Sequence, residues 1–240
     1  MSIEEAHRRL AETCADRTWR DDPEDPSRPE TIQAMQIALH LPKQDVPTRT
    51  EVLEAAARAV VAVCLDERAG GETAFAKALA AWYGHRIRKV ARRARNKAWT
   101  DVQALPGVTI GDRARAFAPS AVSEVDPLIG KLQIGHTDLD HDEPGAPAAD
   151  APVIYIDAGL GMTAGKAAAQ VGHASMLLAA HQPWQWVGPW AKAGFPLSVR
   201  ELPTAEFQAQ CARADAVVVR DAGFTEVAPD SATVVALPRP

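Results

Sequence analysis

Apolar positions in the first third of the chain recur at helical spacing. Ile3, Ala6, Leu10 and Cys14 share one face of a segment from Ile3 to Trp19, which predicts an amphipathic helix, and the run from Asp21 to Pro29 breaks it. A second helix is expected from Glu30 to Leu41, stopped by Pro42. Thr48 and Glu51 have the spacing of a capping box, with Thr50 as an alternative cap, and open a helix carrying Val52, Leu53, Ala56, Val60, Val63 and Cys64. Gly70 and Gly71 end it. The next helix, Thr73 to Trp99, sets Tyr83, Ile87, Val90, Ala91 and Ala94 in an apolar stripe. Beyond Trp99 the pattern shortens to β-like pieces at Val102–Leu105, Val108–Ile110, Ala114–Ala118 and Leu128–Ile134, with Pro106 and Gly107 as a turn. These read as a small antiparallel sheet appended to the helices.

A Pro/Ala-rich tract from Pro144 to Pro152 then changes the texture of the chain. It divides a helical domain with a small β appendage, residues 1–143, from an α/β domain at 153–240, with 144–152 as linker. In the latter, Val153–Ile156 is an apolar run, Gly159–Gly165 a glycine-rich turn, and the residues after it an alanine-rich helix. Leu197–Leu202 reads as a strand, Thr204–Ala214 as a helix, and Ala216–Val219 and Ala232–Leu237 as strands. This β-α-β-α-β-β order predicts a mixed sheet sandwiched by helices, so the fold class is α/β. Between them, Gln182–Trp190 holds three tryptophans. They fit a plug closing one end of the core better than a base-stacking surface.

Composition narrows the setting. With 240 residues, 47% of them hydrophobic, the chain has material for one large core or two small ones. The three cysteines, Cys14, Cys64 and Cys211, are widely spaced and odd in number, which argues against a disulfide framework or a zinc finger and for a reducing, cytoplasmic setting. No apolar run is long enough for a signal peptide or a membrane span.

The net charge of −5 is unevenly spread, and residues 73–100 hold eight basic side chains and no acidic one. Arg86, Arg88, Lys89, Arg92, Arg93 and Arg95 lie here. Two readings stand: a solvated face balancing acidic neighbours, or a contact with phosphates of a nucleic acid. His136–Glu143 alternates imidazole and carboxylate but runs straight into the Pro/Ala tract, so an acidic linker is preferred to a metal site.

The candidate chemistry lies in the alanine-rich helix. Lys166, Gln170 and His173 stand at i, i+4 and i+7, so at about 100° per residue a cation, an amide and an imidazole share one face. A Walker phosphate loop does not fit, because Leu160 stands where the first glycine belongs and Ala167 where a hydroxyl would bind magnesium. Gly159 and Gly161 form a Gly-x-Gly start, a weak sign of nucleotide binding at the Gly159–Lys166 turn.

The run Met162, Gly165, Lys166, Ala168, Ala169, Gln170, His173, Ala174 resembles the first-helix signature of the peptidyl-tRNA hydrolase 2 family. A second run, Asp221, Ala222, Gly223, Thr225, Glu226, Val227, Pro229, Ser231, Thr233, Val234, is similar to that family's later segment and closing strand. The resemblance covers about residues 151–240. It implies a four-stranded mixed sheet and a site of Lys166, Gln170, His173, Asp221, Thr225 and Thr233. Gly159 departs from it, standing where the family usually has an acidic residue. The activity implied is hydrolysis of the ester between a peptide, or an N-blocked aminoacyl group, and the 3′ ribose of tRNA. Water is the nucleophile, and no metal or organic cofactor is needed. Peptidyl-tRNA is then the partner, with a homodimer left open. The alternatives are an inactive tRNA- or protein-binding module on the same fold and the nucleotide binder already described.

Overall fold

The computed structural model describes residues 2–15, 24–221, 223 and 226–239. Its first sheet is built from β1 (Gln33–His40), β2 (Arg88–Ala94), β3 (Gly107–Ile110), β4 (Ala114–Phe117) and the short β5 (Ser120–Ala121). The order is β2-β1-β4-β3, with β5 also paired to β1. The second sheet contains β6 (Val153–Asp157), β7 (Ser198–Leu202), β8 (Val217–Arg220) and β9 (Ala232–Leu237), in the order β7-β6-β9-β8.

These orders are the same topology twice. In each sheet the first long strand runs parallel to the second and antiparallel to the last, and the last is antiparallel to the third. In each, a helix follows the first strand: α2 (Arg49–Cys64) in the first half and α6 (Ala164–His181) in the second. Each helix covers its own sheet and reaches the other. α2 packs on β1, β3, β4 and also β7; α6 packs on β6, β8, β9 and also β2.

The two helices also pack on each other, which accounts for the alanine-rich composition of α6. A Cβ on Gly172 would stand 2.7 Å from Val60 Cγ2, and the Ser175 hydroxyl donates to Ala57 O at 2.7 Å. Small residues allow backbones this close. The core around the helices is continuous, running from Met35 and Val60 through Val171 to Ile154 and Val234. α1 (Ile3–Ala15) adds to it, and buried His7 hydrogen-bonds Ala179 O at 2.9 Å near the end of α6.

Smaller clusters cover the outer faces. Trp99 of α4 (Asn96–Asp101), with Ile129 of α5 (Pro127–Gly130), lies over Ala38 and Phe117. Phe207 of α8 (Thr204–Cys211) lies over Val153, Val235 and Leu237. The second sheet is therefore helix-covered on both faces, as its pattern predicts. In α7 (Trp184–Lys192), Trp190 is buried, packs edge-on to Phe195 and donates to Pro196 O at 2.7 Å. The tryptophans serve as a plug.

Several elements of the first half differ from expectation. The expected helix at Glu30–Leu41 is a 3-10 turn, Pro29–Thr31, followed by β1. β1 is buried on both sides because Met35, Ile37 and Leu39 enter the main core while Ala38 faces Trp99. A strand buried on both faces loses its alternation and cannot be told from a helix by period. The expected basic helix from Thr73 to Trp99 is three elements: α3 (Ala74–Tyr83), β2 and α4. Gly84 closes α3, and β2 pairs along its whole length with β1, a partner far away in sequence.

Val102–Leu105 contains a 3-10 turn, and Leu128–Ile134 contributes α5 and a single bridge from Gln133 to Arg93. The capping box at Thr48 is present as expected: Glu51 N donates to Thr48 Oγ1 and Thr48 N to Glu51 Oε2, both at 3.2 Å. The predicted end of the first helix at Trp19 lies outside the described residues. Among those described, no helix is long and apolar enough to cross a membrane.

Candidate functional site

The turn between β6 and α6 is held by hydrogen bonds to side chains. Asp157 accepts from Gly159 N at 2.9 Å and from the Thr204 hydroxyl at 2.7 Å, and Gly161, at φ +57°, reverses the chain. Thr163 caps α6, its Oγ1 accepting from Lys166 N at 3.2 Å, while its own N–H and hydroxyl donate to Glu226 at 2.9 and 2.8 Å. Gly165 N donates to Thr137 Oγ1 at 3.0 Å. A Cβ there would lie 2.6 Å from that oxygen, so the position requires glycine. The amides of Thr163, Gly165 and Lys166 are thus bonded within the protein, with a carboxylate at the helix start. A phosphate cradle has the opposite character.

This turn aims the first helical turn of α6 at the end of β8. Beyond a bulge at Val219/Arg220, Asp221 N donates to Ser231 O at 2.9 Å and Asp230 N to Asp221 O at 2.7 Å, so backbone pairing fixes Asp221. Its Oδ2 accepts from Lys166 Nζ and from Gln170 Nε2, each at 2.5 Å, and its Oδ1 from Gly223 N at 2.8 Å. The Lys166 and Asp221 side chains are 12% and 9% exposed, so the ion pair is nearly withdrawn from water.

Thr233 completes the set from β9. Its hydroxyl lies 2.9 Å from Gln170 Oε1 and 3.4 Å from Val219 O. One proton serves one acceptor, and the shorter contact assigns it to Gln170. That assignment turns the amide nitrogen of Gln170 toward Asp221. His173, partly buried, lies one turn further along α6 on the same side. Thr225, the remaining expected member, lies outside the described residues. Thr163, Thr137 and Glu226 shape the site without having been expected in it. A threonine ahead of an alanine-rich helix is a legible cap, whereas Thr137 comes from a segment with no periodic signal.

The set opens into a cavity of about 1090 Å³ lined by both halves of the chain. Lys166, Gln170, His173 and Asp221 line it together with Arg86, Arg88 and Lys89 from the first half. Arg88 pairs with Glu24, and Lys89 Nζ lies 5.0 Å from the centre of the Trp82 ring. The other three expected basic residues do not line the cavity and bond to neighbouring segments of the protein. Arg92 donates to Gln36 Oε1 at 2.8 Å and Leu132 O at 3.0 Å; Arg93 binds Gln133 and His136 O; Arg95 donates to Leu41 O at 2.5 Å. The basic segment is therefore divided between the cavity and the fold.

The corresponding end of the first sheet carries different chemistry. Counting from the caps, Glu51, Ala55 and Arg58 of α2 stand where α6 has Lys166, Gln170 and His173. Asp112 follows β3 closely and accepts from Trp99 Nε1 at 2.6 Å, while Arg113 lies 3.5 Å from Glu51. The first half repeats the topology without the polar set.

Residues 152–240 match the sequence model of the family described as Peptidyl-tRNA hydrolase PTH2. The match spans the second sheet from β6 to β9 and includes Lys166, Gln170, His173, Asp221 and Thr233. No curated protein matches the chain.

Proposed function

We propose that this chain hydrolyses the ester joining a peptide, or an N-blocked aminoacyl group, to the 3′ ribose of tRNA. The observation that carries the reading is the convergence of Lys166, Gln170 and Gly223 on one carboxylate, Asp221, in a cavity lined also by Arg86, Arg88 and Lys89. The family match of the segment supports the choice of substrate.

Ester hydrolysis needs a base for water, a counter-charge for the oxyanion and a proton for the leaving oxygen. Asp221 takes a proton from a water that attacks the ester carbonyl carbon. The carbonyl electrons move onto oxygen, where Lys166 Nζ offsets the charge. Collapse of this intermediate breaks the bond to the 3′ oxygen, which receives through His173 the proton that Asp221 took from water, leaving a free acid, a 3′ hydroxyl and the Asp221 carboxylate restored. Gln170, oriented by Thr233, holds the Asp221 carboxylate in one position. Cations from β2 and the turn before it meet phosphates of the tRNA end.

The test is release of a labelled N-acetyl-aminoacyl group from tRNA, with the unblocked aminoacyl-tRNA as comparison. Hydrolysis of the blocked ester alone supports the reading. Binding of the blocked ester without release would make the chain a tRNA-binding module of the same fold.

A further inference from the structure

The cavity exceeds what the polar set occupies. Its volume of about 1090 Å³ lies just above the roughly 300–1,000 Å³ usual for small-ligand sites. Away from Asp221 its walls come from the first half. Ala80, Tyr83 and Ile87 contribute accessible apolar surface and the buried Ala76 and Leu79 belong to the same wall, whereas Arg86, Arg88 and Lys89, with Arg9 and Glu12 of α1, contribute charge. An ester of tRNA has the same two characters: an anionic nucleotide end and, across the scissile bond, an acyl group whose side chain is often apolar. The first half has the topology of the second but Glu51, Ala55 and Arg58 in place of its polar set. What it brings to the site is a wall.

We propose that the apolar wall around α3 is a subsite for the acyl group, taking the side chain of the amino acid esterified to the ribose and favouring a bulky aliphatic one over glycine. This rests on the ester-hydrolase reading for its substrate. The aliphatic part of this wall, Ala76, Leu79, Ala80 and Ile87, suits an aliphatic chain, whose burial contributes about 0.8 kcal/mol per methylene, and its side chains give a nucleobase edge nothing to hydrogen-bond.

The experiment compares N-acetyl-leucyl-tRNA with N-acetyl-glycyl-tRNA on one tRNA body, using wild type and Ala80→Trp. Ala80 is exposed and lines the cavity, so tryptophan there takes up space without disturbing the packed core. Wild type is expected to favour the leucyl ester in kcat/KM by about tenfold or more. Ala80→Trp should remove that preference and leave the glycyl rate unchanged. Equal wild-type rates for the two esters, or an equal fall of both in Ala80→Trp, would overturn the subsite while leaving the hydrolase reading standing.

A binding arm separates the two readings. It uses 3′-amide analogues of N-acetyl-leucyl- and N-acetyl-glycyl-adenosine, which resist hydrolysis. If wild type hydrolyses neither ester but binds the leucyl analogue more tightly, and Ala80→Trp loses that difference, the subsite stands and the hydrolase reading falls. Equal binding of the two analogues would overturn the subsite.

Discussion

Lys166 Nζ lies 2.5 Å from Asp221 Oδ2, tying the first turn of α6 to the residue that follows β8. Both side chains are nearly buried, so each charge depends on the other for the stabilisation that water would otherwise supply. The pair is therefore a structural contact as well as a candidate for chemistry, and substitution can separate the two roles.

Asp221→Asn removes the proposed base and takes one carboxylate partner from Lys166. Turnover of N-acetyl-aminoacyl-tRNA should fall by about 10²- to 10⁴-fold, and stability by up to about 3–5 kcal/mol. The double variant Lys166→Met/Asp221→Asn should regain much of the stability in urea melts and none of the turnover. Wild-type turnover in folded Asp221→Asn would remove this residue from the mechanism.

Thr233→Val deletes the hydroxyl that orients Gln170. The buried Oε1 of Gln170 then lacks its donor, at a cost of about 1–3 kcal/mol. Because an unheld amide no longer fixes the Asp221 carboxylate, kcat should fall more than KM rises, and Thr233→Ser should restore both. A serine variant as impaired as valine would show that the methyl group, not the hydroxyl, is what matters.

Gly172→Ala sets a methyl 2.7 Å from Val60 Cγ2 and should cost about 1–3 kcal/mol through overpacking. Val60→Ala opens the space, so the double variant should be more stable than the sum of the single effects predicts. Additive losses in denaturant titrations would mean that α2 and α6 adjust independently.

The basic segment should respond in two ways. Replacing Arg86 and Arg88 by Gln should weaken tRNA binding at low salt and flatten the dependence of log affinity on log salt by up to about two units. Replacing Arg92 and Arg95 by Gln should lower the melting temperature through lost bonds to Gln36, Leu132 and Leu41, and leave the salt slope alone. The reverse pattern would place the phosphate contacts on the other face.

Burial pushes the Cys64 thiol up to about 12, from an ordinary value near 9, beside a Tyr83 hydroxyl that burial also raises. The folded state therefore keeps a proton that the unfolded state gives up. The contribution is complete below about pH 9 and is lost as pH rises through about 12. Cys64→Ala should flatten this alkaline limb of stability, measured by urea titration from pH 8 to 11. Native Cys64 should also resist alkylation at pH 8, and rapid modification there would contradict its burial.

The second half was legible because its signals are local. Short apolar runs and turn residues mark β6 to β9, and the spacing of Lys166, Gln170 and His173 is itself a statement about one helix face. Asp221 was visible through the second run of residues that resembles the family. β1 and β2 were hidden because their conformation depends on each other: one is buried on both faces, and the other spaces its apolar residues as a helix would. Thr137 was hidden for a related reason. Its role depends on Gly165, a partner across the fold that no window around Thr137 contains.

The repeated strand order bears on how the chain reaches this structure. Two units of like topology in tandem give each helix two plausible sheets to cover, and exchange between similar units is a characteristic failure of repeat proteins. α2 is synthesised well before α6, so its helix-facing side waits for a partner that does not yet exist. The bond from Gly165 to Thr137 therefore selects as well as stabilises, since α2 has Thr50 where α6 brings this glycine. Sorting the two helices onto the right sheets depends on non-local contacts, and the Gly165–Thr137 bond is a place where a misassembled chain would be told from a native one.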